Sequence, residues 1–127
     1  MIYEYRTYQL HPGRLAAFLE RFEKVSVPLF KERGIKLIAF WQIGKFKETE
    51  PQVCDGGVFL PAAGSKFGQD QIAYLVAFDT IEQRDAAWRP WVQDPKWIEA
   101  KQRSEADGPI VADESCVLLS PTAFSPL

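Results

Sequence analysis

Histidine, cysteine and long apolar runs are scarce in this sequence, and each scarcity excludes a class of protein. The 127 residues contain one histidine and two cysteines, and these show none of the spacings that bind zinc. No apolar stretch approaches the ~18 residues that a membrane-spanning helix needs. We therefore expect no metal site and no membrane partner.

An excess of either charge is also lacking. The sequence contains 15 Lys and Arg residues and 17 Asp and Glu residues, which gives a formal net charge of −2. Without a basic run, there is no electrostatic reason to expect a nucleic-acid partner. Cys54 and Cys116 predict reduced thiols in a cytoplasmic protein. The first residues enter a strand at once, which argues against a signal peptide.

The motifs of cofactor binding and nucleophilic catalysis are missing as well. The sequence contains no GxGxxG or Walker loop and no GxSxG turn. With one histidine, any Ser-His-Asp or Cys-His site would have to use His11. We therefore expect no cofactor, and any chemistry would be cofactor-free.

The centre of the chain, IAYLVAFDTIEQRDAAWRPWVQDPKW, carries the strongest structural signal. Ile72–Phe78 is apolar at both alternating sets of positions, which predicts a strand covered on both faces. Thr80 and Gln83 have the spacing of a capping box at a helix start. Asp94 followed by Pro95 predicts a second helix start, because proline at the first helical position loses no hydrogen bond.

Three further strands and one further helix surround this centre. The strands are predicted at residues 2–10, 35–43 and 110–119, and the helix runs from residue 14 to a stop at Gly34, with a kink at Pro28. Residues 45–70 form a long connection in which residues 58–60 could add a short strand. The order β-α-β-β-α-β predicts one α+β domain over residues 1–127. Its fold would be ferredoxin-like, a four-stranded antiparallel sheet with helices on one face.

The predicted helices cannot cover the predicted sheet. Four strands at ~4.8 Å spacing make a sheet roughly 19 Å wide, and two helices of about 10 Å diameter cover one of its faces. Strands two and three are nevertheless apolar on both faces. We expect a second copy of the chain on the bare face, in a homodimeric α/β barrel. The alternative is that residues 45–70 fold over their own sheet.

Candidate site residues lie mainly on the first and third strands of the sheet. Glu4, Arg6 and Tyr8 share one face, and we expect them to point into the barrel while Tyr3, Tyr5 and Thr7 face the helices. Glu4 would be a general base, and Arg6 would stabilise an oxyanion. The alternative is a buried Glu4–Arg6 ion pair with a purely structural role.

Tyr74, His11 and Trp41 complete the candidate set. Tyr74 would hold a substrate oxygen, and His11 would be a second possible base. Together with Tyr8 and Tyr74, Trp41 would line a ligand pocket. Each has a simpler interpretation, as core aromatic residues for Tyr74 and Trp41 and as a helix cap for His11. The cluster Trp88, Trp91 and Trp97 would be either helix packing or a partner surface.

Four segments resemble the NIPSNAP family: IYEYRTYQLHPG, GIKLIAFW, QDPKW and SPTAFSPL. The resemblance covers residues 1–44 and 71–127. It implies the dimeric α/β barrel group of ferredoxin-like folds, which agrees with the argument from sheet coverage. Tyr74 and Val76 stand where members of the family often carry His and Trp.

Three functions follow as hypotheses. The first is binding of a small apolar or aromatic molecule inside a homodimer. The second is a cofactor-free enzyme of the monooxygenase or isomerase type, with Glu4 or His11 as base and Arg6 and Tyr74 around the oxyanion. The third is a protein-interaction module that uses Trp91 and residues 45–70.

Overall fold

The structure, a computed structural model, describes residues 1–43, 52–54, 57–59 and 70–127. Its strands are β1 (Ile2–Leu10), β2 (Lys36–Ile43), β3 (Gln52–Cys54), β4 (Gly57–Phe59), β5 (Gln71–Phe78) and β6 (Val111–Leu119). Its helices are α1 (Leu15–Arg21), α2 (Val27–Glu32), α3 (Ile81–Trp88) and α4 (Pro95–Ser104). A π-helical segment, Phe22–Ser26, joins α1 to α2, and a 3-10 turn, Trp91–Gln93, precedes α4.

The four long strands form one antiparallel sheet in the order β2-β5-β1-β6. This order places the first and third long strands of the chain at the centre, as a ferredoxin-like fold requires. The predicted α+β class and four-stranded sheet are confirmed. The short strands β3 and β4 pair with each other, so the extra strand predicted near residues 58–60 is present as Gly57–Phe59. Apart from these two strands and residue 70, the connection at residues 45–70 lies outside the described residues. The alternative that this connection covers the sheet therefore stays a prediction.

Local sequence signals explain where the helices begin and end. The Gln83 N–H donates to Thr80 Oγ1 (3.1 Å), and Gln83 Oε1 accepts from the Asp79 N–H (2.6 Å), which closes the predicted cap of α3. Asp94 Oδ1 accepts from the Lys96 N–H (2.9 Å) at the start of α4. Gly34 has a φ of +71° after α2, a conformation that glycine adopts with little steric cost.

The predicted kink near Pro28 takes the form of a change in helix type. Pro28 lies in the first turn of α2, directly after the π-helical segment. Proline donates no N–H, and its ring clashes with the carbonyl one turn earlier. A wider turn before the proline relieves that clash, and such segments occur often at functional sites.

The core lies between the sheet and the helices, but the opposite face of the sheet is also apolar. On that face Tyr3, Leu75 and Ala77 form a second buried cluster. At its edges, Trp41 and Val117 are about half exposed, at 46% and 53%. The prediction that the second and third long strands, β2 and β5, are apolar on both faces is therefore confirmed. Within the described part of the chain, no helix is long and apolar enough to cross a membrane.

Candidate functional site

The helices cover the face of β1 that carries Glu4, Arg6 and Tyr8. Glu4 accepts a hydrogen bond from the Trp88 indole on α3, and the Tyr8 ring packs edge-on against Phe18 on α1, with ring centroids 5.6 Å apart. The expectation that these residues point away from the helices, with Tyr3, Tyr5 and Thr7 toward them, is wrong. Alternation along a strand shows which residues share a face but does not show which face the helices cover.

Glu4 is fully buried and accepts hydrogen bonds from four side chains. Its Oε1 accepts from Arg84 (2.7 Å), Arg6 (3.2 Å) and the Cys116 thiol (2.7 Å). Its Oε2 accepts from Trp88 Nε1 (2.6 Å). A buried charge is tolerated only when it is paired and hydrogen-bonded in this way. The predicted Glu4–Arg6 ion pair is therefore present, within a larger network.

The network keeps Glu4 ionised. Burial by itself raises the pKa of a carboxyl group, but the hydrogen bonds from Arg84, Cys116 and Trp88 and the charge of Arg6 outweigh it and lower the pKa of Glu4 to about 2. Burial and the neighbouring Glu4 charge raise the pKa of the Cys116 thiol. A carboxylate so firmly stabilised is a poor proton acceptor, so the geometry disfavours Glu4 as a general base.

Arg6 links this network to a pair of tyrosine hydroxyl groups. Its Nη1 donates to the Tyr8 hydroxyl (3.2 Å), which lies 2.9 Å from the Tyr74 hydroxyl. The guanidinium carbon lies 4.2 Å from the centre of the Trp88 ring, within the range of a cation–π contact. Arg6, Tyr8 and Tyr74 therefore form one hydrogen-bonded row across β1 and β5, which Glu4 holds at Arg6.

Both tyrosines remain protonated at neutral pH. Burial raises the pKa of Tyr8 and raises the pKa of Tyr74 well above its ordinary value. Each hydroxyl group therefore keeps a hydrogen that it can donate.

The row borders a cavity of about 500 Å³ between the sheet and the helices. Arg6, Tyr8 and Tyr74 line it on the sheet side. Aromatic side chains from the helices form much of the remaining wall: Phe18, Phe22, Phe30, Trp88, Trp91 and Trp97. The π-helical segment contributes Phe22 and the buried Ser26. Cavities of this size and composition are typical of small-molecule sites.

Arg21 supplies a second guanidinium at the cavity, and its side chain is buried. It donates to Ser104 Oγ (3.2 Å), lies 3.8 Å from Glu105 and stands over the Trp97 ring at 4.8 Å. Its burial lowers its own pKa, although Glu105 acts in the opposite direction. Of the carboxylates on the lining, Asp113 and Glu114 are exposed, whereas the Glu105 side chain is about as exposed as that of Arg6, at 22% and 19%.

The predicted site residues divide into two groups. Arg6, Tyr8 and Tyr74 come together at the cavity, on the helix side of the sheet and not on the barrel side where we predicted them from the sequence. Trp41 lies on the helix-free face, 6.4 Å from the Tyr5 ring, and does not line this cavity with Tyr8 and Tyr74. His11 follows β1 and is not among the described residues that line the cavity. It is therefore not placed to act as a base there.

Sequence reasoning missed the residues that hold Glu4 and Arg6 in place. Arg84, Trp88 and Cys116 lie 80 to 112 positions beyond Glu4 along the chain. A buried Glu–Arg pair on a central strand was the available signal, because such a pair needs further donors.

Trp91 and Trp97 pack against each other at 5.5 Å, and Trp91 also packs on Trp88. This favours helix packing over a free partner surface.

Among the described side chains, no group of three or more His, Cys, Asp or Glu residues could hold a metal ion.

The fold and this buried network define an α+β protein of the ferredoxin-like class with a cavity beneath its helices. The model of the NIPSNAP family matches residues 3–49 and 46–126. The chain therefore belongs to the NIPSNAP family, as its sequence motifs suggested. No curated protein matches it.

Solved structures of the family have the same fold. An uncharacterized NIPSNAP domain protein from Burkholderia xenovorans is 19% identical, with 99% of each chain covered and a TM-score of 0.69. A NIPSNAP family protein with unknown function from Agrobacterium tumefaciens is 21% identical and has a TM-score of 0.68. The match covers 100% of this chain and 93% of the Agrobacterium chain. At such identities the likeness supports the fold alone.

Proposed function

We propose that this NIPSNAP protein binds a small aromatic molecule in the cavity between its sheet and its helices. The observation that carries the proposal is the row of Arg6, Tyr8 and Tyr74 on the wall of a cavity of about 500 Å³ that six further aromatic rings also line. The rings supply apolar contact area, and the row supplies a few fixed polar groups. This combination is what a specific small-molecule site requires.

Binding fits the geometry better than proton abstraction. Of the two predicted bases, Glu4 is held as a stable carboxylate, and His11 lies away from the cavity lining. Arg6 and the tyrosines can still orient an oxygen of a bound molecule. A cofactor-free enzyme would need another proton acceptor near that oxygen.

A thermal-shift screen against small aromatic acids, ketones and acyl compounds tests the proposal. A ligand present at 100 times its Kd stabilises the folded state by about 2.7 kcal/mol, which raises the Tm of a chain of this size by roughly 8 °C. A panel that leaves the Tm unchanged would contradict the proposal.

Two matched variants locate the binding site. Ala112 lines the cavity and is exposed, whereas Ala16 on α1 is exposed and is not among the described residues of the lining. Ala112→Phe should obstruct the cavity and weaken binding of a compound found in the screen. Ala16→Phe adds the same ring elsewhere and should leave the affinity unchanged. Equal affinities for both variants would place the binding site somewhere else.

We also propose that two copies associate through the helix-free face of the sheet. Support comes from the apolar residues on that face, including Trp41, Val117 and Leu119, which are 44 to 53% exposed in the single chain. Burial of such a surface against a symmetric partner would stabilise both chains. In the resulting barrel the two sheets face each other, and each cavity stays within its own subunit. The cytoplasm, as the site of action, remains a prediction from the two cysteines.

The mass of the protein at micromolar concentration tests this association. Light scattering or sedimentation should give twice the chain mass, and Val117→Lys should give a folded monomer, because a charge on the face opposes its burial. Ile81→Lys is the matched control, since Ile81 is an exposed isoleucine at the start of α3. A monomeric unmodified protein would refute the dimer.

A further inference from the structure

Building on the binding function proposed above, we propose that the cavity selects aromatic carboxylates. The carboxylate would lie against the row formed by Arg6, Tyr8 and Tyr74, and the ring would lie among the aromatic side chains opposite. The proposal depends on which hydrogen-bonding groups the row leaves unused and on the charges around it.

The row has a surplus of donors. The two hydroxyl groups of Tyr8 and Tyr74 carry two hydrogens between them, and their mutual hydrogen bond uses one. Arg6 donates to Tyr8, so that contact uses no hydroxyl hydrogen. One hydroxyl hydrogen therefore remains, and no described residue accepts it. Arg6 Nε is likewise buried without a partner in the described part of the chain. A ligand group that only accepts hydrogen bonds satisfies this surplus.

The charges favour an anion over a neutral acceptor. Arg6 and Arg84, whose side chains are 19% and 24% exposed, share the single carboxylate of Glu4, so these three side chains carry a net charge of +1. The other partner of Arg84 is Asp85, whose side chain is 46% exposed and screened by water. Arg21 and Lys101 are further cations on the lining, and Glu105, Asp113 and Glu114 are its carboxylates, so the excess of positive charge lies at the row and not over the whole cavity.

The row is also rigid before any ligand arrives. Glu4 fixes one edge of the Arg6 guanidinium, and the Trp88 ring lies against it at 4.2 Å. Trp88 itself is held by the hydrogen bond that its indole N–H donates to Glu4. A fixed guanidinium loses little conformational entropy on binding, which favours affinity. Glu4 is thus a positioning residue and need not touch the ligand.

Three probes with the same ring system test the selection by isothermal titration calorimetry. They are 2-naphthoate, the neutral 2-naphthalenemethanol and the cationic 2-naphthylmethylammonium. We expect 2-naphthoate to bind at least tenfold more tightly than the alcohol, as hydrogen bonds to a charged group allow. The ammonium ion should bind most weakly, because it adds donors and a like charge.

Tyrosine variants assign the preference to the row. Tyr8→Phe and Tyr74→Phe should each reduce the affinity for 2-naphthoate about tenfold and change that for the alcohol less than twofold. Tyr5→Phe is the matched control, since Tyr5 is on the same strand but packs on the opposite face. It should bind both probes as the unmodified protein does. Thermal unfolding of each variant establishes that it is folded.

The outcomes separate this inference from the proposed function. If all three probes bind with equal affinity, or if Tyr8→Phe and Tyr74→Phe keep the preference for 2-naphthoate, the selection of carboxylates is refuted and the aromatic site stands. Tighter binding of the ammonium ion would also refute the selection. If none of the probes binds at millimolar concentration, both proposals fail.

Discussion

Replacing Glu4 by glutamine tests whether one buried carboxylate holds the polar network together. Glutamine has nearly the same shape but presents one oxygen and one NH₂ group. If its oxygen takes the place of Oε1, where three donors converge, the NH₂ group meets the Trp88 N–H at the place of Oε2. The opposite orientation would leave the Nη2 groups of Arg6 and Arg84 without the oxygen that they share. Glutamine therefore cannot satisfy the site in either orientation.

The ion pairs of Glu4 and its lowered pKa indicate similar losses in the free energy of unfolding. Removal of one partner from a buried ion pair costs about 3–5 kcal/mol. A folded-state pKa of about 2, against an ordinary value of 4.5, corresponds to about 3 kcal/mol at 1.36 kcal/mol per pKa unit. We expect Glu4→Gln to lower the free energy of unfolding by about 3 kcal/mol, or the Tm by about 10 °C.

The assay is urea unfolding at pH 7 followed by tryptophan fluorescence, at one fixed protein concentration so that association does not differ between samples. Glu20→Gln is the matched control. Glu20 accepts from Lys24 at 3.0 Å, but both side chains are more than 60% exposed. Such a pair contributes about 0.3–0.5 kcal/mol. A loss below about 1 kcal/mol for Glu4→Gln would refute the network as a stabilising element.

The same pair of proteins has a defined pH dependence. The folded state lowers the pKa of Glu4, so the stabilisation is complete above the unfolded pKa near 4.5 and declines as the pH falls toward 2. The difference in stability between the unmodified protein and Glu4→Gln should therefore shrink over this interval. A difference that stays constant from pH 7 to pH 2.5 would show that the charge of Glu4 is not its cause.

Two smaller predictions concern the ends of helices. Thr80→Ala removes the hydroxyl that accepts from the Gln83 N–H and should cost about 1 kcal/mol, whereas Thr80→Ser should cost little; equal losses in urea unfolding would contradict the cap. Gly34→Ala forces a side chain into a φ of +71°, although the new Cβ would meet only Gln83 Nε2 at an ordinary 3.6 Å. We expect a loss of about 1–2 kcal/mol from backbone strain, and a smaller one for Gly34→Asn. Equal stability of Gly34→Ala and the unmodified protein in thermal unfolding would count against that strain.

The elements of secondary structure could be predicted from the sequence because their causes are local. The strand Ile72–Phe78 is one residue longer in the structure, and the caps at Thr80 and Asp94 form between neighbours in the chain. The change to a π-helical segment before Pro28 was not predicted beyond a kink. A proline indicates strain in the helix, but the surrounding packing selects how the backbone relieves it.

The sequence predicted only part of the candidate site. Arg6, Tyr8 and Tyr74 were candidates, and they meet because β1 and β5 pair so that Arg6 lies opposite Tyr74. Trp41 lies on the other face from Tyr8 and Tyr74, because a bulge in β2 shifts the register between Leu37 and Ala39. Such a shift changes the face on which each following side chain lies.

By itself, the sequence determined the order of strands and helices, the apolar character of both faces of the sheet and the membership of the NIPSNAP family. These follow from short-range patterns and from motifs that span a few residues. Tertiary structure alone decided that the helices lie over Glu4, Arg6 and Tyr8, and that Arg84, Trp88 and Cys116 meet at Glu4. The physical reason is that a buried carboxylate needs donors, and the folded chain supplies them from distant positions that no local pattern connects.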